Sequence, residues 1–161
     1  MDKEQLALIL ENHKHWLNED CEGWENMRAD LSYADLSYAD LSGAKIDKNT
    51  KIHVPYSCPE VGSFIGWKKA SGHIVCLEIL EDAIRCSATT RKCRCSKAKV
   101  LNITNLDGTE SGLTEVASSY DKSFIYKIGE IVEVKDFDAN RWNECSTGIH
   151  FFITRREAVE W

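Results

Sequence analysis

The feature that most constrains this chain is a run of period five. It reads Ala29-Asp30-Leu31-Ser32-Tyr33, Ala34-Asp35-Leu36-Ser37-Tyr38 and Ala39-Asp40-Leu41-Ser42-Gly43, with a degraded copy at Ala44-Lys45-Ile46-Asp47-Lys48. A period of five matches neither the 3.6-residue turn of a helix nor the two-residue alternation of a strand. It fits a coil with four near-square sides, in which small Ala leaves room and Leu fills the axis. The four copies span 20 residues, about one turn of such a coil, and one turn cannot bury its own ends. Leu31, Leu36, Leu41 and Ile46 therefore need covers from the chain on either side.

The flanking sequence offers two covers. Upstream, Leu6, Ile9, Leu10, His13 and Leu17 recur at three- and four-residue steps beside Trp16, which predicts an amphipathic helix from Asp2 to Asn18. Asp2 and Gln5 form a capping-box pattern at its start. The apolar stripe packs on the coil or on the same helix of another subunit. Downstream, residues 49–62 hold both prolines, Pro55 and Pro59, and read as a linker between an N-terminal part, 1–48, and a β-rich domain, 63–161. Ser63 to Lys69 and His73 to Ile79 read as a hairpin turning across Ala70-Ser71-Gly72. Strands are also expected over Lys97 to Thr104, Phe124 to Ile128, Ile131 to Val134 and Ile149 to Ile153. Thr154-Arg155-Arg156-Glu157 caps a short closing helix. The fold class is α+β, with one turn of coil and a mostly antiparallel β-rich domain.

With 161 residues, 43% hydrophobic and 29% charged, the chain can bury a single modest core. Its formal net charge of −6 argues against a uniformly basic nucleic-acid binder. That charge is unevenly spread: −6 over residues 1–50, +5 over 51–100 and −5 over 101–161. No apolar run approaches the roughly 20 residues of a membrane span, and the polar, acidic start does not resemble a secretory signal. A cytoplasmic protein is expected. Seven cysteines, an odd number, then read as reduced thiols. Cys93 and Cys95 are one residue apart and lack the spacing of a zinc pair, so no metal is expected.

The chemistry concentrates in the basic third. Residues 85–99 carry Arg85, Arg91, Lys92, Arg94, Lys97 and Lys99 with no Asp or Glu. Within them, Arg85, Arg91, Lys92 and Arg94 suit phosphate, while Thr89 and Thr90 offer further hydrogen bonds. Such a run also serves as a solvated loop or an edge strand guarded by charge. Trp67 and Lys69, on a neighbouring strand, would add stacking and charge. Cys145 and His150 raise a thiol nucleophile with its base, but their five-residue spacing around Gly148 does not oblige them to meet. His150 reads as a satisfied histidine or a contact to the ligand's base or ribose. The acidic thirds would repel long nucleic acid, so a small phosphorylated ligand fits better.

The A-D-L-S-x copies resemble the pentapeptide-repeat family, and the resemblance implies a right-handed quadrilateral β-helix for 29–48. The whole layout is similar to a group of small phage and gut Firmicutes proteins. They carry stretches like His13-Lys14-His15-Trp16-Leu17-Asn18, Ser87-Ala88-Thr89-Thr90-Arg91-Lys92-Cys93-Arg94 and Gly148-Ile149-His150-Phe151-Phe152. That resemblance implies a phage-encoded protein in a host cytoplasm. By analogy, it would be a non-catalytic, homo-oligomeric sponge without cofactor that holds a host-defence signalling nucleotide. An inhibitor of a host defence or DNA-processing protein, acting through the acidic coil and helix, is the alternative.

Overall fold

A computed structural model describes residues 3–31, Leu36 and 54–161. These fall into two compact units, with the second beginning at Pro55. Asp2, and nearly all of the period-five run with its expected coil, lie outside the described residues.

The first unit is built on helix α1, Lys3–Asn18. Its half-buried stripe passes through Ile9, Asn12, His13 and Trp16. His13 and Trp16 stack at 5.2 Å, Arg28 lies 5.3 Å over the Trp16 ring, and the Ala29 amide donates to His13 Nδ1. Leu10 and Leu17, expected in that stripe, point outward at 49% and 61% exposure. The returning segment is recognised by an aromatic and an imidazole rather than by leucines. After α1, Glu19 takes a left-handed φ of 53°, and the chain doubles back into a 3₁₀ turn at Trp24–Asn26.

The second unit is antiparallel throughout its named sheets. Strands β1 (Phe64–Ala70), β2 (His73–Ile79), β5 (Lys97–Thr104) and β8 (Ile131–Glu133) form one sheet in the order β1-β2-β5-β8. The expected hairpin is present: Ala70 pairs with His73 across Ser71 and Gly72, both at positive φ, as a tight two-residue turn between twisted strands requires. Strands β3 (Arg85–Ser87), β4 (Cys93–Cys95) and β9 (Ile149–Phe151) form a second sheet with β4 in the centre. The basic stretch is thus neither solvated loop nor guarded edge over Cys93–Cys95, which is buried at every residue. Strands β6 (Glu115–Ala117) and β7 (Ile125–Lys127) make a separate ribbon.

Phe151 of β9 reaches β1, where a Cβ on Gly66 would lie 2.7 Å from its ring. Val75, Leu77, Ile79, Val100, Cys93, Cys95 and Ile149 fill the same core. The two sheets are also joined edgewise, since Trp67 and Phe152 exchange both backbone hydrogen bonds at 2.8 Å. Helix α2, Arg155–Glu160, begins with the expected capping box, in which Thr154 and Glu157 bond reciprocally. It buries Ala158 against Ile74, Phe152 and Trp67, and Lys69 Nζ donates to the Val159 carbonyl.

One boundary needs correction. Residues 55–62 of the expected 49–62 linker belong to the β-rich unit: Cys58 is buried in the core, the Ser57 amide donates to Ser87 Oγ, and Ser57 Oγ donates to the Thr90 carbonyl. Among the described residues, no helix is long and apolar enough to cross a membrane.

Candidate functional site

Two arginines of the basic stretch, Arg85 and Arg94, face inward. Arg94, only 2% exposed, donates through Nη1 to the Asp138 and Thr147 carbonyls and through Nη2 to that of Asn140. Its guanidinium lies 5.4 Å over the Phe137 ring. Arg85, 9% exposed, donates to the carbonyls of Ala83, Gly62, Leu80 and Glu81. Both guanidinium groups are therefore loop clamps, and the expectation that they engage a phosphate is corrected: backbone carbonyls already use their fork.

Arg94 organises the 136–148 loop together with Asp138. The Asn143 and Ser146 side chains and the Asn140 amide bond the Asp138 carboxylate and hold it down at about 2. Gly148 closes the loop at φ 147°, where an added Cβ would meet Phe137 and Arg94 at 3.1–3.3 Å.

Of the other sequence-picked residues, Thr89 and Thr90 converge on a group that was not anticipated, Glu144. The Thr89 and Thr90 amides donate to Glu144 Oε1 at 3.1 and 3.0 Å, and Thr90 Oγ1 donates to Oε2 at 3.1 Å. Three donors from two adjacent residues thus converge on one carboxylate. Next to them, Lys92 Nζ lies 3.4 Å from Cys145 Sγ and 5.2 Å from the centre of the Trp161 ring. Trp161 is 68% exposed and packs against Phe152 with the rings tilted by 43°. Arg91 is paired with Glu157 at 2.7 Å. Arg141 donates from Nε to the Ser87 carbonyl and stacks 4.2 Å over Tyr56, holding the 87–90 turn from behind.

His150 pairs with Arg94 across β4 and β9. Burial pushes its imidazole down to about 4, helped by the positive charges of Lys68, Lys92 and Arg94. It is neutral at pH 7 and cannot serve as a cation for phosphate. One ring nitrogen bonds the Glu144 backbone, while Nε2 is buried without a partner. Trp67 and Lys69 sit on the α2 side of β1; Trp67 is packed in the cluster around Ile74 and Lys69 is engaged by Val159.

Comparison with known families matches residues 54–158 to a family described as "Family of unknown function (DUF5758)". The chain belongs to this family. The DUF5758 match covers the β-rich unit, with its clamp arginines and the Glu144 cradle, and stops before Trp161. It does not reach the period-five run, and no pentapeptide-repeat family is found, which overturns that resemblance and the assignment built on it. No curated protein and no solved structure matches the chain.

Glu144, Arg141 and Trp161 were missed by reading the sequence. Glu144 stands 54 residues from Thr90, in an acidic third, with no local signal linking the two.

Proposed function

We propose that the β-rich unit binds a small anionic, nucleotide-like ligand without transforming it, at the rim made by Thr89, Thr90, Lys92 and Trp161. The observation that carries this is the convergence of three hydrogen-bond donors from Thr89 and Thr90 on the two oxygens of one carboxylate. Two oxygens of a phosphate present the same acceptor geometry with more charge, so a phosphate is suited to displace Glu144. Lys92 stands beside the cradle as a point charge, and the open Trp161 face suits a base. Neutral His150 supplies an unused buried nitrogen nearby rather than charge.

Titration calorimetry with mono-, cyclic and ADP-ribose-type nucleotides tests this reading. At least one should bind, Lys92→Glu should weaken it about tenfold or more, and Glu144→Ala should strengthen it about tenfold, near 1.4 kcal/mol, by vacating the cradle. The bound nucleotide should be recovered chemically unchanged. Absence of heat and of a melting shift with both wild type and Glu144→Ala would sink the proposal, and recovery of a converted nucleotide would sink its non-catalytic part.

A second reading rests on a different observation, the outward Leu8, Leu10 and Leu17 of α1. Leu10 and Leu17 lie seven residues apart on one helix line, which suits pairing with the same helix of a second copy. Sedimentation should then give a multiple of 18.3 kDa that Leu10→Glu plus Leu17→Glu reduces to the monomer. A wild type that sediments as a monomer removes the self-association reading, and capture of a different protein chain by α1 would reassign the face.

A further inference from the structure

The end of α1 assembles a set of side chains that the anion site does not use. His15 stands in the last turn, and the Glu19 amide donates to its carbonyl at 2.9 Å. With Glu19 in the left-handed conformation, the chain reverses and returns Asp20 and Cys21 to the His15 ring. His15 Nδ1 and Asp20 Oδ1 are 2.6 Å apart, and the ligand atoms of His15, Asp20 and Cys21 all lie within 4.8 Å of one another. Met27, brought back by the 3₁₀ turn, places its Sδ 3.6 Å from Cys21 Sγ. No other group of three His, Cys, Asp or Glu side chains converges this closely among the described residues.

We propose that His15, Asp20 and Cys21 form a zinc site. An imidazole nitrogen, a thiolate and a carboxylate oxygen are the three ligand types zinc takes, and a tetrahedral ion about 2.0–2.3 Å from each needs ligand atoms only modestly further apart than His15 and Asp20 now are. The fourth position opens toward Met27 and solvent. The carboxylate argues for a divalent ion over copper(I), which the Cys-Met-His subset alone would favour. Glu11, 3.9 Å from His15 Nε2, and the net charge of −6 over residues 1–50 draw a cation to this end of the helix. The ion would pin the returning segment to the helix end, beside the Ala29 amide bond to His13 and the Arg28 contact with Trp16.

Cobalt(II) is the probe, added to the full-length reduced chain, with zinc competing it off. One equivalent should bind with a thiolate-to-cobalt charge-transfer band and a tetrahedral visible spectrum. Cys21→Ser should abolish the charge-transfer band, and His15→Gln should weaken zinc at least tenfold against a chromophoric chelator. Cys145→Ser, at the exposed thiol of the other unit, should change neither. All these positions are exposed or half-exposed, so the variants should keep the wild-type circular dichroism. The site is overturned if wild type binds no cobalt or zinc, if the band survives Cys21→Ser, or if copper(I) binds there and zinc does not.

Discussion

Arg94→Met should destabilise the β-rich unit by about 3–5 kcal/mol, enough to leave it partly unfolded at 37 °C if its stability is that of an ordinary small domain. The side chain is nearly sealed from water and ties three carbonyls, those of Asp138, Asn140 and Thr147, to the central strand of the second sheet. Methionine fills much of the volume and keeps the aliphatic stem, but it returns none of the donors. The three acceptors must then open to water, which takes Phe137 and Gly148 with them, or stay buried unpaired at about 1–3 kcal/mol each. Arg94→Lys should recover only part of the loss, because a single ammonium cannot span carbonyls that a planar fork reaches. Urea unfolding at constant slope measures both. An Arg94→Met protein as stable as wild type would show that the 136–148 loop is not held by this clamp. Charge reversal at Arg94 is for the same reason unsuited as a test of ligand binding, and Lys92 is the position to alter.

This clamp also explains which parts of the molecule could be read in advance. The β1-β2 hairpin and the α2 cap were legible because their determinants are local: Ser71-Gly72 sets a turn, and Thr154 finds Glu157 three residues on. Strands β3 and β4 were not, because Arg85-Cys86-Ser87 and Cys93-Arg94-Cys95 look like surface chemistry until loop carbonyls 44 to 53 residues downstream accept Arg94. The site behaved likewise. Thr89 and Thr90 were recognisable as donors from their own neighbourhood, whereas the acceptor, Glu144, reaches them only through the pairing of β4 with β9. At α1, hydrophobic periodicity placed Leu10, His13 and Leu17 in one stripe beside Trp16, but the stacked His13-Trp16 pair packs under Arg28 while Leu10 and Leu17 stay exposed.

Lys68→Met should have the opposite sign and stabilise the protein by about 2 kcal/mol at pH 7, raising its melting temperature by about 6–10 °C. Lys68 alternates with Phe64, Gly66 and Ala70 on the core-facing side of β1, pairs with fully buried Val75, and lies 5.8 Å from the Tyr126 ring. Desolvation pushes its ammonium down from 10.5 to about 8, and the nearby Cys95 offsets this only in part. A shift of that size corresponds to about 3 kcal/mol of cost, reduced here because Lys68 as a whole is only half-buried. Below pH 8 both folded and unfolded chains carry the proton, and the cost is present in full. Between pH 8 and 10.5 the unfolded chain still binds a proton that the folded chain has released, so wild-type stability gains from this residue as the pH rises. The advantage of Lys68→Met should therefore be largest below pH 8 and shrink toward pH 10.5, as thermal unfolding across that range would show. A stability difference independent of pH would mean that packing, and not a buried charge, sets the energetics of this position.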